Sequence, residues 1–152
     1  MRYDVVVAGG GLSGVTAAIS AARGGSKVCL VEQTLSLGGL GTSGMMTVII
    51  SPKNFFGGTG REILDRLYGE DALGYGKGKE DYSFMPFQNE AMKRLLDSMV
   101  TDEANIDLLL YSKIIGARCE NGAVKSISVS AYEGIVEVEA NVFIDATGDG
   151  TL

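Results

Sequence analysis

Three glycines near the N-terminus have the spacing of a phosphate-binding turn. Gly9, Gly11 and Gly14 fit the pattern G-x-G-x-x-G. In such a turn the first glycine permits a tight bend, the second lets a pyrophosphate approach the main chain, and the third lets the next helix pack closely on the strand. The helix N-terminus then offers free N–H groups and the positive end of its dipole to the phosphates. The spacing therefore predicts a site for an adenine dinucleotide.

Glu32 supplies the acid that such a site needs. It follows the apolar run Val28–Val31 and lies close to the usual separation of about 20 residues from the glycine turn. A carboxylate at this position accepts hydrogen bonds from ribose hydroxyls. Its charge would repel a 2′-phosphate, so Glu32 favours FAD or NAD over NADP.

The elements that must position these residues occur in the required order. An apolar, β-branched run, Val5–Ala8, predicts a strand buried on both faces. A helical pattern follows, with apolar residues at Val15, Ala18, Ile19 and Ala22, and the second strand then leads to the acid. A glycine pattern alone also occurs in turns with a purely structural role. Its context here favours dinucleotide binding.

Composition limits the class of protein. The chain has 152 residues, of which 45% are hydrophobic and 22 are glycine, as expected for one α/β domain. The formal net charge is −6 and no basic stripe is present, which argues against nucleic-acid binding. No apolar run approaches the roughly 18 residues of a membrane span. The N-terminus enters a predicted strand almost at once, which leaves no room for a signal peptide, so we expect a cytoplasmic protein.

The reactive side chains exclude several mechanisms. The chain has two cysteines, Cys29 and Cys119, and no C-x-x-C motif, which argues against a disulfide reductase. It has no histidine, so a His-centred triad or a His-rich metal site cannot form within it. We name no catalytic acid or base and expect no metal.

A second glycine-rich segment, Gly38–Gly44, allows two interpretations. It is either a flexible connector or a loop of N–H and hydroxyl groups beside a pyrophosphate or flavin ring. The apolar run Met45–Ile50 after it predicts a short strand or a packed segment on the substrate side. Helices are expected to follow, one with its apolar stripe around Leu64 and one with Asn89 as its N-cap that extends to about Asp102, with a surface loop over 69–83 between them.

The later pattern predicts how the sheet is ordered. Ile106–Leu110 is a further strand, and three strands over 113–118, 124–130 and 135–139 form an antiparallel meander around an Asn-Gly turn. A last strand, Val142–Ile144, would join a Rossmann-like parallel sheet in the order 3-2-1-4, with the meander as a crossover between its outer strands. Ligands bind such sheets at the carboxyl ends of the strands, so Gly9–Gly14 should meet Ala146–Gly150 there.

These motifs together resemble those of a known family. Asp4–Glu32, Leu37–Gly44, Asn89–Lys93 and Phe143–Gly150 resemble segments of the FAD-dependent oxidoreductases, within the glutathione-reductase-like flavoprotein superfamily. The Ala-Thr-Gly-Asp turn in the last segment is the most discriminating motif, because NAD-only domains usually lack it. The resemblance covers nearly the whole chain and implies that FAD is the cofactor.

The resemblance also implies roles for single residues. Glu32 would bind the adenosine ribose, Gln33 would lie beside the adenine, and Ile114 would meet the adenine edge with its main chain. Asp149 is an acid near the flavin, and we interpret it as a turn or cofactor residue more readily than as a base. The residues expected to contact the pyrophosphate, the ribityl chain or the rest of the dinucleotide are Gly9, Gly11, Leu12, Ser13, Gly14, Gly39, Thr42, Ala146, Thr147 and Gly148.

The chain departs from the family in its length. Family members continue past the Ala-Thr-Gly-Asp turn into a substrate-facing domain, whereas this sequence stops at Leu152. We therefore expect residues 1–152 to be the FAD-binding portion of a longer flavoprotein that passes a hydride or electrons between a small-molecule substrate and flavin. Two alternatives stay open, a non-catalytic module for FAD or ADP and an NAD-binding dehydrogenase domain. An exposed apolar edge beside Val142–Ile144 would allow self-association.

Overall fold

The computed structural model describes residues 1–50, 57–69 and 85–152, so most of the loop expected over 69–83 lies outside the described residues. These ranges contain three helices and eight strands. In chain order they are β1 (Arg2–Ala8), α1 (Leu12–Arg23), β2 (Val28–Val31), β3 (Val48–Ile49), α2 (Gly58–Gly69), β4 (Met85–Pro86), α3 (Asn89–Thr101), β5 (Ile106–Leu109), β6 (Lys113–Glu120), β7 (Ala123–Ala131) and β8 (Gly134–Asp145).

The main sheet has six strands in the order β5-β2-β1-β8-β7-β6. Its first four strands are parallel, with Val6 of β1 opposite Cys29 of β2 and Phe143 of β8. The predicted α/β fold with a parallel core is therefore confirmed, and these four strands have the expected order. The antiparallel strands β7 and β6 extend the same sheet beyond β8.

One detail of the predicted topology is wrong. The third strand of the meander and the final strand are a single strand, β8, of 12 residues. Its first half pairs antiparallel with β7, ending at Glu139, and its second half pairs parallel with β1 up to Asp145. Ala140 and Asn141 are weak strand formers, which suggested a break there. The strand stays continuous because its first half pairs with β7 on one side and its second half pairs with β1 on the other.

Apolar residues cover both faces of the parallel strands. On one face α1, α2 and α3 pack on Val5, Val7 and Leu30. On the other face Val6 and Cys29 contact residues of the meander, which curls over the sheet. Burial on both sides explains why the central strands are continuously apolar. No helix in the described ranges is long and apolar enough to cross a membrane.

The helical layer is tied together at its surface by Arg23 of α1. Its guanidinium lies 2.5 Å from a carboxylate oxygen of Glu62 on α2 and 2.6 Å from one of Glu103, which precedes β5. These two contacts join three separate segments of the chain. They hold α2 against α1 on the helical face, and α3 packs beside both helices.

Candidate dinucleotide-binding site

A cavity of about 900 Å³ opens at the carboxyl ends of β1, β2 and β8. The topology brings the first glycine turn, the second glycine segment and the turn after β8 to this one place. Twelve of the predicted site residues line the cavity: Gly9, Gly11, Leu12, Ser13, Glu32, Gln33, Gly39, Ile114, Ala146, Thr147, Gly148 and Asp149. The other two, Gly14 and Thr42, lie behind its surface.

The bend after β1 depends on two close main-chain contacts. Gly9 has φ of 99°, and a Cβ added to it would lie 2.5 Å from the carbonyl oxygen of Ala146. A Cβ added to Gly14 would lie 1.8 Å from the carbonyl oxygen of Gly9. Both positions therefore need glycine for reasons internal to the protein, and Gly14 sets how closely α1 approaches β1.

Gly11 differs from its neighbours because nothing in the protein requires a glycine there. Its φ of −64° and ψ of 176° suit any residue. A Cβ added to it would meet no protein atom within 4 Å, and the residue lines the cavity. The N–H groups of Leu12 and Ser13 begin α1 and have no intrahelical acceptor. Gly11 forms a parallel bridge with Gly38, which directs the Leu12 N–H towards the Gly38 carbonyl, whereas the Ser13 N–H bonds to no described residue. Free space beside an unpaired donor at a helix N-terminus fits a pyrophosphate group.

The Glu32 carboxylate is held in place by the main chain. The Gly10 N–H donates to its Oε2 at 2.6 Å, and the Thr34 N–H donates to its Oε1 at 2.7 Å. The residue is 6% exposed and lines the cavity. A carboxylate has about four acceptor sites, so each oxygen keeps a lone pair for a ribose hydroxyl. The acid thus has a fixed orientation before any ligand binds.

The second glycine segment lies directly against the first turn. The Gly38 N–H donates to the Gly10 carbonyl at 2.8 Å, and a Cβ added to Gly39 would lie 3.1 Å from the Cα of Gly11. A 3₁₀ turn over Gly39–Gly41 follows. Of the two interpretations of this segment, the ordered loop beside the phosphate-binding turn agrees with these contacts, whereas a flexible connector does not.

Thr42 supports this loop from behind. Its side chain is fully buried, and its hydroxyl donates to the carbonyl oxygen of Leu37 at 2.5 Å. The structure therefore places the hydroxyl away from the cavity that the resemblance assigned it to. Its bond closes the loop on itself, as do the bonds from the Gly41 N–H to the Gly38 carbonyl and from the Gly44 N–H to the Gly39 carbonyl.

α3 fixes the second loop from a distant part of the sequence. The Asn89 side-chain amide donates to the Gly41 carbonyl oxygen at 2.8 Å. Leu96 lies 3.0 Å from a Cβ added to Gly38, and the Phe87 ring lies 3.4 Å from one added to Gly41. Sequence reasoning treated Asn89 as the helix cap, but Gln88 occupies that position. The sequence feature that could have indicated this contact is a polar side chain at the start of an amphipathic helix.

The crossing from β5 to β6 closes the end of the cavity next to Glu32. The Tyr111 N–H donates to the Thr34 carbonyl, and the Ser112 N–H donates to the Glu32 carbonyl, each at 2.9 Å. Tyr111 has φ of 51°, a left-handed conformation that turns the chain towards Ile114. Thr34, Ser112 and Lys113 also line the cavity and were not predicted from the sequence. Ser112 and Lys113 reach it only because β5 pairs with β2.

Two acids in the turn after β8 bind main-chain and hydroxyl groups. Asp145 accepts from the Thr147 N–H at 3.0 Å and from the Thr147 hydroxyl at 2.6 Å. These bonds lower its pKa. Asp149 accepts from the hydroxyl and the N–H of Thr151, and these contacts also lower the pKa of Asp149. Each is a turn-forming carboxylate with a lowered pKa, and such weak basicity is a poor property for a general base.

Comparison with known proteins gives matches over nearly the whole chain. The family described as FAD dependent oxidoreductase matches residues 4–152. The digeranylgeranylglycerophospholipid reductase of Methanothrix thermoacetophila is 28% identical over 159 aligned residues, covering 97% of this chain and 40% of the reductase. The thiamine thiazole synthase of Methanothermobacter thermautotrophicus is 43% identical over 70 residues, covering 44% of this chain and 25% of the synthase. The chain thus spans 40% or less of these two curated relatives.

A solved structure has the same fold. The geranylgeranyl bacteriochlorophyll reductase-like protein from Thermoplasma acidophilum matches with a TM-score of 0.69 and 21% identity. The match covers 95% of this chain and 39% of that protein. Identity at this level shows a shared fold and nothing finer.

Proposed function

Because the chain belongs to the FAD dependent oxidoreductase family, we propose that residues 1–152 form the FAD-binding part of an enzyme that passes a hydride or electrons between a small-molecule substrate and flavin. Gly11 carries this proposal. It leaves open space at the cavity wall where the protein itself needs none, beside the first turn of α1, whose Ser13 N–H bonds to no described residue. Space for a close ligand, next to donors for an anion, suits the pyrophosphate of a dinucleotide.

Each part of the cavity has a task in this proposal. The N–H groups of Leu12 and Ser13 bind the pyrophosphate, with the α1 dipole behind them. Glu32 accepts from the ribose, and its orientation is already fixed by Gly10 and Thr34. The residues assigned to the remaining contacts with the cofactor are Gly9, Gln33, Gly39, Ile114, Ala146, Thr147, Gly148 and Asp149, while Gly14 and Thr42 shape the turns from behind.

The flavin supplies the hydride or electron transfer, and this chain supplies binding and orientation. Asp145 and Asp149 are both engaged within their own turn, so neither is assigned a proton-transfer step. Since the chain spans 40% of the reductase that it matches over most of its length, the proposal assigns cofactor binding to residues 1–152 and assigns them no catalytic acid or base.

The test of the proposal compares a glycine that lines the cavity with a glycine that does not. Gly11 and Gly57 both have open space around an added Cβ, but only Gly11 lines the cavity. We expect Gly11→Ala to keep the thermal stability of the parent and to weaken FAD binding tenfold or more, by roughly 1.4 kcal/mol. Gly57→Ala should bind FAD like the parent. Binding is measured by flavin fluorescence titration after the visible spectrum has confirmed retention of the cofactor.

Four results would contradict the proposal. A chain that stays colourless after incubation with FAD and washing does not retain the cofactor. A Gly11→Ala variant that binds FAD as well as the parent shows that the open space has another purpose. Tighter binding of NAD than of FAD in parallel titrations would favour the dehydrogenase alternative, whereas binding of ADP as tightly as FAD would favour a module that recognises the nucleotide alone.

We also propose that the sheet edge beside β8 takes part in self-association. Beyond Glu139, β8 pairs with β1 but with no other described strand, and Val142 there is 51% exposed. Such an edge offers unpaired main-chain groups to another strand. Val142→Lys should therefore lower the sedimentation-average mass at high concentration. Ile135→Lys is the control, because Ile135 is also exposed but lies in the half of β8 that β7 covers. A parent protein that sediments with the mass of a monomer at high concentration would contradict the proposed self-association.

A further inference from the structure

One side of the cavity is built from a segment without charge. From residue 33 to residue 50 the chain has no ionisable side chain. Met46, Val48, Ile49 and Ile50 from this segment line the cavity, together with Phe87. These five residues are called the apolar wall below. The ionisable residues that line the cavity, Glu32, Lys113 and Asp149, all come from other segments.

Two members of the apolar wall are more exposed than the packing of the fold explains. Ile50 is 74% exposed and Met46 is 52% exposed, although the helical layer buries side chains of the same size completely. The segment is fixed to the rest of the chain through the short pairing of Val48 and Ile49 with β4. Contiguous exposed apolar surface in a soluble fold marks a site of interaction. Here that surface continues into the cofactor cavity.

We propose that the apolar wall binds the hydrocarbon part of the enzyme's substrate, so that the substrate class is a molecule with an uncharged aliphatic chain or ring system. The inference rests on the proposed function, because a substrate must lie beside the cofactor to exchange electrons with it. A charged group placed against this wall would lose its hydration and find no partner of opposite charge. The wall therefore selects against substrates that are ionised at the bound end.

The position of the wall favours a small molecule over a second copy of the chain. Its members face a concave space that they share with the glycine turns, whereas a flat partner surface would contact the rim alone. Phe87 is only 1% exposed, yet it lines the cavity, so a ligand that reaches it must enter the cavity. A hydrocarbon chain is thin enough to do so.

Adjacent methionines provide a matched test. Met45 and Met46 are both exposed, but only Met46 lines the cavity. Uncharged n-alkanols of increasing length are titrated into the chain against the neutral fluorophore 1-aminoanthracene, with and without FAD. We expect affinity to rise about two- to fourfold for each added methylene, up to the length of the wall. Met46→Gln should weaken binding of the longest alkanols about fivefold or more and flatten this dependence, whereas Met45→Gln should not.

The outcomes below overturn the proposed role of the apolar wall or separate it from the proposed cofactor binding. Affinity that does not increase with chain length overturns it, as do equal losses in the two methionine variants. Sedimentation that shows a dimer lost in Met46→Gln, with alkanol binding unchanged, assigns the wall to a second copy and also overturns it. Failure to bind FAD contradicts the proposed function instead. The titration without FAD then still reports on the wall, because the fluorophore signal does not depend on the flavin.

Discussion

The two glycine-rich turns meet at one cavity but are stabilised in different ways. The first turn is limited by main-chain atoms, since an added Cβ on Gly14 would meet the Gly9 carbonyl oxygen at 1.8 Å and one on Gly9 would meet the Ala146 carbonyl oxygen at 2.5 Å. The second turn depends on side chains, because a Cβ added to Gly38 would meet the methyl group of Thr42 at 2.6 Å and Leu96 at 3.0 Å. Local motifs therefore describe the first turn well, whereas the second requires knowledge of tertiary packing.

The largest effect should come from Gly14→Ala. Its added Cβ would overlap carbonyl atoms of Gly9, and neither β1 nor α1 can retreat without losing core contacts. We expect a loss of about 3 kcal/mol or more in the free energy of unfolding, because overpacking against main chain leaves no soft atom to move. Urea denaturation followed by circular dichroism measures it.

Gly57→Ala is the control for that variant, since its added Cβ would meet no atom of the described residues within 4 Å. A Gly14→Ala protein with the stability of the parent would show that the α1–β1 approach is adjustable. The contrast between a main-chain-limited turn and a side-chain-limited turn would then disappear.

An intermediate effect is expected for Gly38→Ala. Gly38 has φ of 103°, where a Cβ is strained, and the nearest atoms belong to a side chain that can be shortened. We expect a loss of about 1–3 kcal/mol, from the backbone conformation and the crowding together. Thr42→Ser removes the crowded methyl group and keeps the hydroxyl that bonds Leu37.

The double variant Gly38→Ala/Thr42→Ser should therefore recover part of the stability, with a coupling of about 0.5–1 kcal/mol in a double-mutant cycle. Strictly additive effects would indicate that backbone strain alone explains the need for glycine. In that case the second turn would resemble the first, limited by the main chain and insensitive to its neighbours.

The same division explains what could be predicted from the sequence. The spacing of Gly9, Gly11 and Gly14 before an apolar helix was sufficient to locate the first turn, and the family prediction that this motif supported is confirmed. The wider grouping with glutathione reductase is less apt, because the matched proteins are reductases of isoprenoid compounds and thiazole synthases. Parallel strand order also followed from the sequence of strands and helices.

Features that depend on long-range pairing could not be predicted. Ser112 reaches the cavity because β5 lies beside β2, and its N–H meets the Glu32 carbonyl only in that register. The continuity of β8 depends on pairing with a different neighbour in each half. The inward hydroxyl of Thr42 depends on the 3₁₀ turn beside it. In each case the residue type is compatible with several structures and the packing selects one.

Asn89→Asp is the most selective test of the contrast between the two turns. It changes a side chain of α3 that bonds to the second turn. The Asn89 amide donates to the Gly41 carbonyl oxygen at 2.8 Å, and a carboxylate in its place would face that oxygen with a second acceptor. A lost hydrogen bond with an unfavourable pair left behind costs about 1–3 kcal/mol. Because the bond holds the loop beside the cavity, FAD affinity should fall about tenfold, corresponding to roughly 1.4 kcal/mol.

Asn105 gives the control for this prediction, because its amide also donates to carbonyl oxygens, those of Ala22 at 2.8 Å and Ser26 at 2.7 Å, and it does not line the cavity. Asn105→Asp should lower stability by a similar amount without changing FAD affinity in the folded protein. Equal losses of FAD affinity in the two variants would mean that Asn89 acts through overall stability. Loss in Asn89→Asp alone would identify α3 as the element that positions the second turn for the cofactor.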